Sequence, residues 1–308
     1  MSEVDAKGPR YSRLGLYWEF ARPFTLLAPA LGMLSGGITA LGAEPPTAIA
    51  WTVALNLALG TLMAAVLNAG SNTLNQICDL AVDRVNKPAR PLPSGRIRQT
   101  EAQALTYGFF AVALALAWSV NLRCFTLAFA AAVFTTLYSV PPARTKARGM
   151  LANVTIAVPR GVLLKVAGWS CVKPVNTVEP WFIGLVFGLF LLGASSTKDF
   201  ADIPGDRAGG CRTLPIIYGV RTAAWMIAPF FVLPFLLLPL GALTGILTGN
   251  RIALVILGLV LSTWGLWVVR LILRDPDALA ATENHPSWTH MYLMMATTQI
   301  GFAVSYLL

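Results

Sequence analysis

Residues 51–83 read Trp51-Thr-Val-Ala-Leu-Asn-Leu-Ala-Leu-Gly60-Thr-Leu-Met-Ala-Ala-Val-Leu-Asn68-Ala-Gly-Ser-Asn72-Thr-Leu-Asn75-Gln-Ile-Cys-Asp79-Leu-Ala-Val-Asp83. The first half is apolar enough to cross a hydrocarbon layer about 30 Å thick as a helix. The second half carries Asn68, Asn72, Asn75, Asp79 and Asp83, spaced 4, 3, 4 and 4 apart. At about 100° per residue these positions fall within an arc of roughly 80°, one polar stripe on a surface of Ala, Leu, Val and Ile. An ionised group at the lipid-facing centre of a helix costs roughly 2.5 to 3.5 kcal/mol. The stripe must therefore face protein, and its acids need partners.

The rest of the chain repeats the apolar pattern. Of 308 residues 56% are hydrophobic and 12% charged, and apolar runs fall near 24–42, 47–78, 102–120, 124–141, 151–170, 181–198, 222–242, 252–270 and 289–308. The expectation is an all-α, polytopic membrane protein of nine transmembrane helices forming one membrane-embedded domain over 1–308. Residues 1–23 lack a cleavable leader pattern, so the first run is expected to be an uncleaved anchor. With the N-terminus cytoplasmic, 18 of the 23 Lys and Arg fall on one side, among them Lys7, Arg10, Arg13 and Arg22. This bias accounts for the net charge of +9 by topology rather than by a nucleic-acid partner. An integral, multi-pass protein of the cell inner membrane follows, in contact with membrane lipid. Cys78, Cys124, Cys171 and Cys211 form no CxxC pair, and His285 and His290 stand five apart, off the helical spacing for a shared metal.

A second acidic cluster, Asp199-Phe-Ala-Asp202-Ile-Pro-Gly-Asp206, ends the sixth run, and the two clusters hold five of the 14 acidic residues. Ser195, Asp199, Asp202 and Asp206 share an arc of about 60° if the helix continues that far, although Pro204 and Gly205 predict fraying before Asp206. Each cluster is followed by an Arg-x-Leu-Pro tail, Arg90-Pro-Leu-Pro93 and Arg212-Thr-Leu-Pro215. A capped helix end and a solvated loop would explain either cluster alone, but not the common spacing, face and tail. The pattern predicts pseudo-repeat halves over about 24–141 and 151–270, completed by the last helix over 289–308. Their acids would face one another across a shared cavity on one side of the membrane.

Five carboxylates around one cavity repel unless cations lie between them. The available ligands are oxygens, which suit Mg²⁺, an ion that keeps positions for water and substrate phosphate. A phosphorylated substrate is implied, with Arg90 and Arg212, and Lys87, Lys198 and Arg207 nearby, as candidates for its oxygens. Asn68 and Asn72, on the first stripe, are further substrate-facing candidates. The alternative is a transporter using intramembrane carboxylates for ion or proton coupling. Its charges belong near the bilayer midplane, whereas these lie at the cytoplasmic ends of spans.

These motifs resemble those of the UbiA superfamily of intramembrane prenyltransferases. The Asn-x-x-x-Asp-x-x-x-Asp signature matches Asn75, Asp79 and Asp83 and continues as Asn86-Lys-Pro-Ala-Arg90-Pro-Leu-Pro-Ser-Gly95; the second motif matches Asp199, Asp202 and Asp206. The similarity extends to Arg22-Pro-Phe-Thr25 and to Tyr138-Ser-Val-Pro-Pro-Ala-Arg144-Thr-Lys146. The wording is similar to the branch holding chlorophyll synthases, homogentisate prenyltransferases and archaeal geranylgeranylglycerol-phosphate transferases. The resemblance implies a nine-helix bundle around a lipid-open cavity, capped by cytoplasmic loops that carry the active site. It implies two Mg²⁺ ions held by Asp79, Asp83, Asp202 and Asp206, which are also the catalytic candidates, with Asn75 and Asp199 completing the shells. It implies Mg²⁺-dependent transfer of a polyprenyl group from its diphosphate to an aromatic or other lipophilic acceptor. Members also place a Tyr and a Lys, often four apart, in the loop after the fourth helix; here Tyr138 and Lys146 stand eight apart with Arg144 between them. Arg22 joins them as a substrate-binding candidate. Deeper in the cavity, Asn153, Arg160 and Lys165 are candidates for reading the acceptor, snorkelling of the two cations being the alternative.

Overall fold

The computed structural model describes residues 12–44, 50–281 and 285–308; Lys7 and Arg10, counted above on the basic side, lie outside the described residues. The described secondary structure is entirely helical. In chain order it comprises α1 (Arg13–Ala21), α2 (Pro23–Ala43), α3 (Trp51–Cys78), α4 (Leu80–Asn86), α5 (Gln99–Val120), α6 (Leu122–Ser139) and α7 (Met150–Ser170). Then follow α8 (Val178–Ala201), α9 (Ile203–Ala208), α10 (Leu214–Tyr218), α11 (Val220–Thr244), α12 (Arg251–Arg274), α13 (Pro276–Ala281) and α14 (Pro286–Leu307).

Among the described residues, eight helices are long and apolar enough to cross a membrane: α2, α3, α5, α6, α7, α8, α11 and α12. The chain is an integral, multi-pass membrane protein. Large apolar side chains such as Leu62, Trp118, Ile256 and Leu259 remain exposed on the outside of the bundle, where hydrocarbon rather than water is the solvent. The expected ninth span corresponds to α14, 22 residues long but less apolar. Its polar Thr298 and Gln299 are buried, turned inward as it packs on α2 and α12.

Backbones meet directly where side chains vanish. A Cβ on Gly36 would lie 2.8 Å from the Lys165 carbonyl oxygen, and one on Gly168 2.3 Å from that of Met33, so α2 and α7 touch main chain to main chain. One apolar cluster packs α2, α3, α5, α6 and α7; a second packs α8, α11, α12 and α14, with Trp169 of α7 reaching into it. A third, smaller cluster seats α1 on Leu92, Ile97 and Ala102.

The polar stripe does not run along one straight helix. At Asp79 (φ −99°, ψ 14°) and again at Asp202 (φ −91°, ψ 2°) the backbone leaves the helical region, and a short helix, α4 or α9, begins at the next residue. The same break at the same motif position in both clusters re-aims each pair of acids. Pro204 lies in the first turn of α9, where a missing N–H breaks no helical bond, so it starts a helix rather than fraying one. Asp206 is consequently held inside α9, and it is buried.

Candidate active site

Both breaks open onto one cavity of ≈ 110 Å³. Its lining includes Asn75, Asp79 and Asp83 from the first cluster and Ser195, Asp199, Asp202 and Asp206 from the second. Five carboxylates thus meet five basic side chains, Arg22, Lys87, Arg90, Lys146 and Lys198. Neither Asp79 nor Asp202 caps the helix it precedes, so both carboxylates remain available to the cavity.

Local structure fixes each cation. Arg90 reaches Asp83 at 2.7 Å, and its loop is held down by Arg96, which grips Glu19 of α1 at 3.0 and 2.8 Å. Lys146 meets Asp79 at 2.5 Å, and Arg144 approaches the other oxygen of Asp79 at 3.5 Å. The Lys146 loop is positioned by a Thr145–Thr155 hydroxyl contact of 2.8 Å and by backbone bonds between Gly149 and Arg212 and between Arg212 and Ala147. Gly149 adopts φ +56°, a conformation that disfavours side chains. Burial alone would lower the Lys146 pKa; the Asp79 carboxylate outweighs it and the net shift is upward. Arg22 is itself left-handed (φ 59°). Three amides of α3 fix the surrounding turn: Gln76 donates to the Phe20 carbonyl at 2.8 Å, Asn72 to that of Ala21 at 3.1 Å, and Asn68 to that of Thr25 at 3.0 Å.

The second cluster is less compensated. Lys87 and Lys198 each stand 3.9 Å from Asp202, and Asp199 and Asp206 make no ion pair among the described residues. Burial first, then the Asp202 and Asp79 charges acting against the pull of Lys146, push the Asp206 carboxyl up to about 6. Among the described residues no three metal-ligating side chains converge tightly enough to form a protein-only cage. Crowded carboxylates, all-oxygen donors and a buried Asp79 oxygen without a hydrogen bond fit a divalent cation that keeps sites for water and phosphate.

The structure brings Arg22, Asn75, Asp79, Asp83, Arg90, Tyr138, Lys146, Lys198, Asp199, Asp202 and Asp206 to this cavity. It does not bring Arg207 and Arg212 there; both are exposed on the surface, and Arg212 serves through its backbone. Asn72 is committed to the α1–α2 turn, Arg144 lies behind Asp79, and Asn68 lines a second, mostly apolar cavity of ≈ 60 Å³ between α2, α3, α6 and α7. Asn153 lines the first cavity while donating to Ser196 at 2.5 Å and to the Leu192 carbonyl at 2.7 Å. Ala152, Ile156 and Thr213 line it too; nothing in their spacing marks them in the sequence.

Residues 24–298 match the UbiA prenyltransferase family. The chain belongs to this family. It is 33% identical over 258 residues to the digeranylgeranylglyceryl phosphate synthase of Methanopyrus kandleri, covering 82% of this chain and 90% of that one. The synthase of the same name from Thermococcus gammatolerans is 32% identical, with 88% and 92% covered. The bacteriochlorophyll synthase 34 kDa chain of Chloroflexus aurantiacus is 28% identical, with 87% and 84% covered. Among solved structures, a UbiA homologue from Archaeoglobus fulgidus bound to GPP and Mg²⁺ superposes with a TM-score of 0.70 at 22% identity, covering 93% of this chain and 99% of that one. The protein is therefore an enzyme, a prenyltransferase, and the transporter alternative falls away.

Proposed function

We propose that the enzyme transfers a polyprenyl group from an allylic polyprenyl diphosphate to a lipophilic acceptor, on the cytoplasmic side of the cell inner membrane. It would do so as a nine-span bundle of two pseudo-repeat halves, α14 being the ninth span and the N-terminus cytoplasmic. The observation that carries this reading is the single cavity gathering five carboxylates and five basic side chains from distant parts of the chain. Divalent cations alone would add net positive charge there and a diphosphate alone net negative charge; together they balance.

Asp79, Asp83, Asp202 and Asp206 would hold two Mg²⁺ ions, with Asn75 and Asp199 completing the shells. Bound metal would supply Lewis-acid compensation for the charge that develops on the departing diphosphate. Arg22, Lys87, Arg90 and Lys198 bind diphosphate oxygens left uncovered, Arg in a planar fork. Lys146 and Arg144 hold the Asp79 carboxylate in place, and Tyr138 lines the wall beside them. The apolar second cavity takes isoprenoid chain and excludes water. The C1–O bond of the donor breaks with its electron pair passing to diphosphate, a bond forms between C1 and the acceptor nucleophile, and the acceptor gives up a proton.

Purified protein in detergent, offered geranylgeranyl diphosphate and a panel of aromatic and glyceryl-lipid acceptors, tests this reading. Prenylated product with equimolar diphosphate, abolished by EDTA and restored by Mg²⁺, is expected. Turnover unaffected by EDTA would overturn the metal-dependent mechanism.

A further inference from the structure

Arg160 has no use in the diphosphate site, yet it stands midway along α7, about 15 Å from either end of the helix. It falls in a π-helical turn, Val158–Leu163, a feature that often marks functional positions within helices. The adjacent Gly161 is pressed on Gly188 of α8, where a Cβ would come within 2.5 Å of the Gly188 Cα, so the turn is fixed against α8. Arg160 lines the second cavity, whose other walls are chiefly Leu, Ala and Met with Asn68, Ser71 and Thr135 as the polar exceptions.

Its charge has no counterpart. Among the described residues Arg160 forms no ion pair or hydrogen bond; the groups within electrostatic reach of it are the Tyr138 and Tyr292 phenols and the like-charged Arg22, none of which is an anionic partner. Lys165, the other cation inside α7, is fully engaged with Ser35 at 3.1 Å, Gln299 at 3.4 Å and the Phe187 ring at 4.1 Å. The Arg160 side chain is exposed on the cavity wall rather than packed among other side chains, but midway along a span its surroundings are cavity and hydrocarbon instead of bulk water. A guanidinium does not shed its proton there, so it calls for an anion. On α7, Ile156 lines the first cavity while Pro159 and Arg160 line the second, so the two cavities adjoin within about one turn of that helix. Left unpaired, it would repel the positive charge developing on the allylic carbon. Pairing with an anion on the acceptor removes that opposition only when the acceptor is in place.

We propose that Arg160 is the acceptor-reading residue: it binds the phosphate or carboxylate of an anionic lipophilic acceptor where the two cavities meet, and so favours acceptors that carry such a group. The inference rests on the prenyl-transfer reading above. Its test needs neither donor nor metal. Wild-type protein, Arg160→Gln and Arg160→Lys are placed in EDTA, in nanodiscs of neutral lipid, and thermal stabilisation is measured with an isoprenyl-glyceryl ether phosphate, the same ether as its free alcohol, and inorganic phosphate. Stabilisation of wild type by the ether phosphate alone, lost in Arg160→Gln and partly kept in Arg160→Lys, is expected. In turnover the same loss should appear as an increase of about 10- to 100-fold in acceptor KM, with donor KM unchanged. Equal stabilisation of wild type and Arg160→Gln, or equal stabilisation by phosphate ether and alcohol, would overturn the proposal. So would nanodiscs containing phosphatidylglycerol stabilising wild type over Arg160→Gln while the acceptor adds nothing, since the anion would then be a membrane lipid. Absence of prenyl transfer with every acceptor would instead refute the activity, leaving the binding result standing.

Discussion

The two aspartate clusters share a spacing and the same helix break, yet their charges are met differently. In the first, Asp79 and Asp83 are closed off by Lys146 at 2.5 Å and Arg90 at 2.7 Å. In the second, the nearest cations to Asp202 stand 3.9 Å away, and Asp206 is crowded enough to bind a proton at about 6. The acids of the first copy are in direct contact with the protein's own cations, whereas those of the second are met only at longer range. The backbone break is common to both, while the compensation differs with the loops that flank each.

The contrast is broken most directly by removing one charge from each copy. Asp79→Asn would leave Lys146 buried without its counter-ion, at a cost of about 3 kcal/mol, and should lower the melting temperature of the metal-free protein by about 5 °C. Asp206→Asn relieves repulsion and should raise it by about 2 °C. Thermal unfolding in EDTA checks both, and a fall of equal size in the two variants would erase the distinction.

A pH series sharpens it. The folded pKa of Asp206 is raised from 3.8 to about 6, so the folded state binds the proton more tightly than the unfolded chain. The stability this contributes is complete below 3.8 and lost as pH rises through about 6. The same proton competes with metal, so apparent Mg²⁺ affinity should weaken as pH falls below about 6, measured by titration calorimetry. Asp206→Asn should flatten the pH dependence of metal-free stability in that window.

The smallest effect concerns the matched tails. Arg90 enters the cavity whereas Arg212 is exposed, so Arg207→Ala and Arg212→Ala should each change kcat/KM for the donor less than about twofold, while Arg90→Ala costs about 10²-fold. Comparable losses at Arg90 and Arg212 would mean that the tails are equivalent after all.

The bilayer made the spans legible, because its thickness fixes how long an apolar run must be, and each run expected between residues 24 and 270 coincides with a helix whose ends lie within a few residues of it. The clusters were legible as a pair because burying acids is costly enough to need a reason. What spacing does not encode is where a helix breaks: the polar stripe continues in register past Asp79, while the backbone turns there. Nor does it reveal which polar groups are already spoken for. Asn72 reads like a cavity residue, but the Ala21 carbonyl that takes its amide exists only once α1 has folded back on α3. Arg212 matches Arg90 in the wording of its tail, but it is exposed outside the cavity because its backbone is docked on Ala147 and Gly149.

In the proposed mechanism both clusters would act as one site on one diphosphate. Mg²⁺-dependent binding of geranylgeranyl diphosphate, measured for wild type, Asp83→Asn, Asp202→Asn and the double variant, tests it most directly. Either single substitution should weaken binding nearly as much as both together, a strongly non-additive cycle. Losses that simply add would show two independent sites and contradict it.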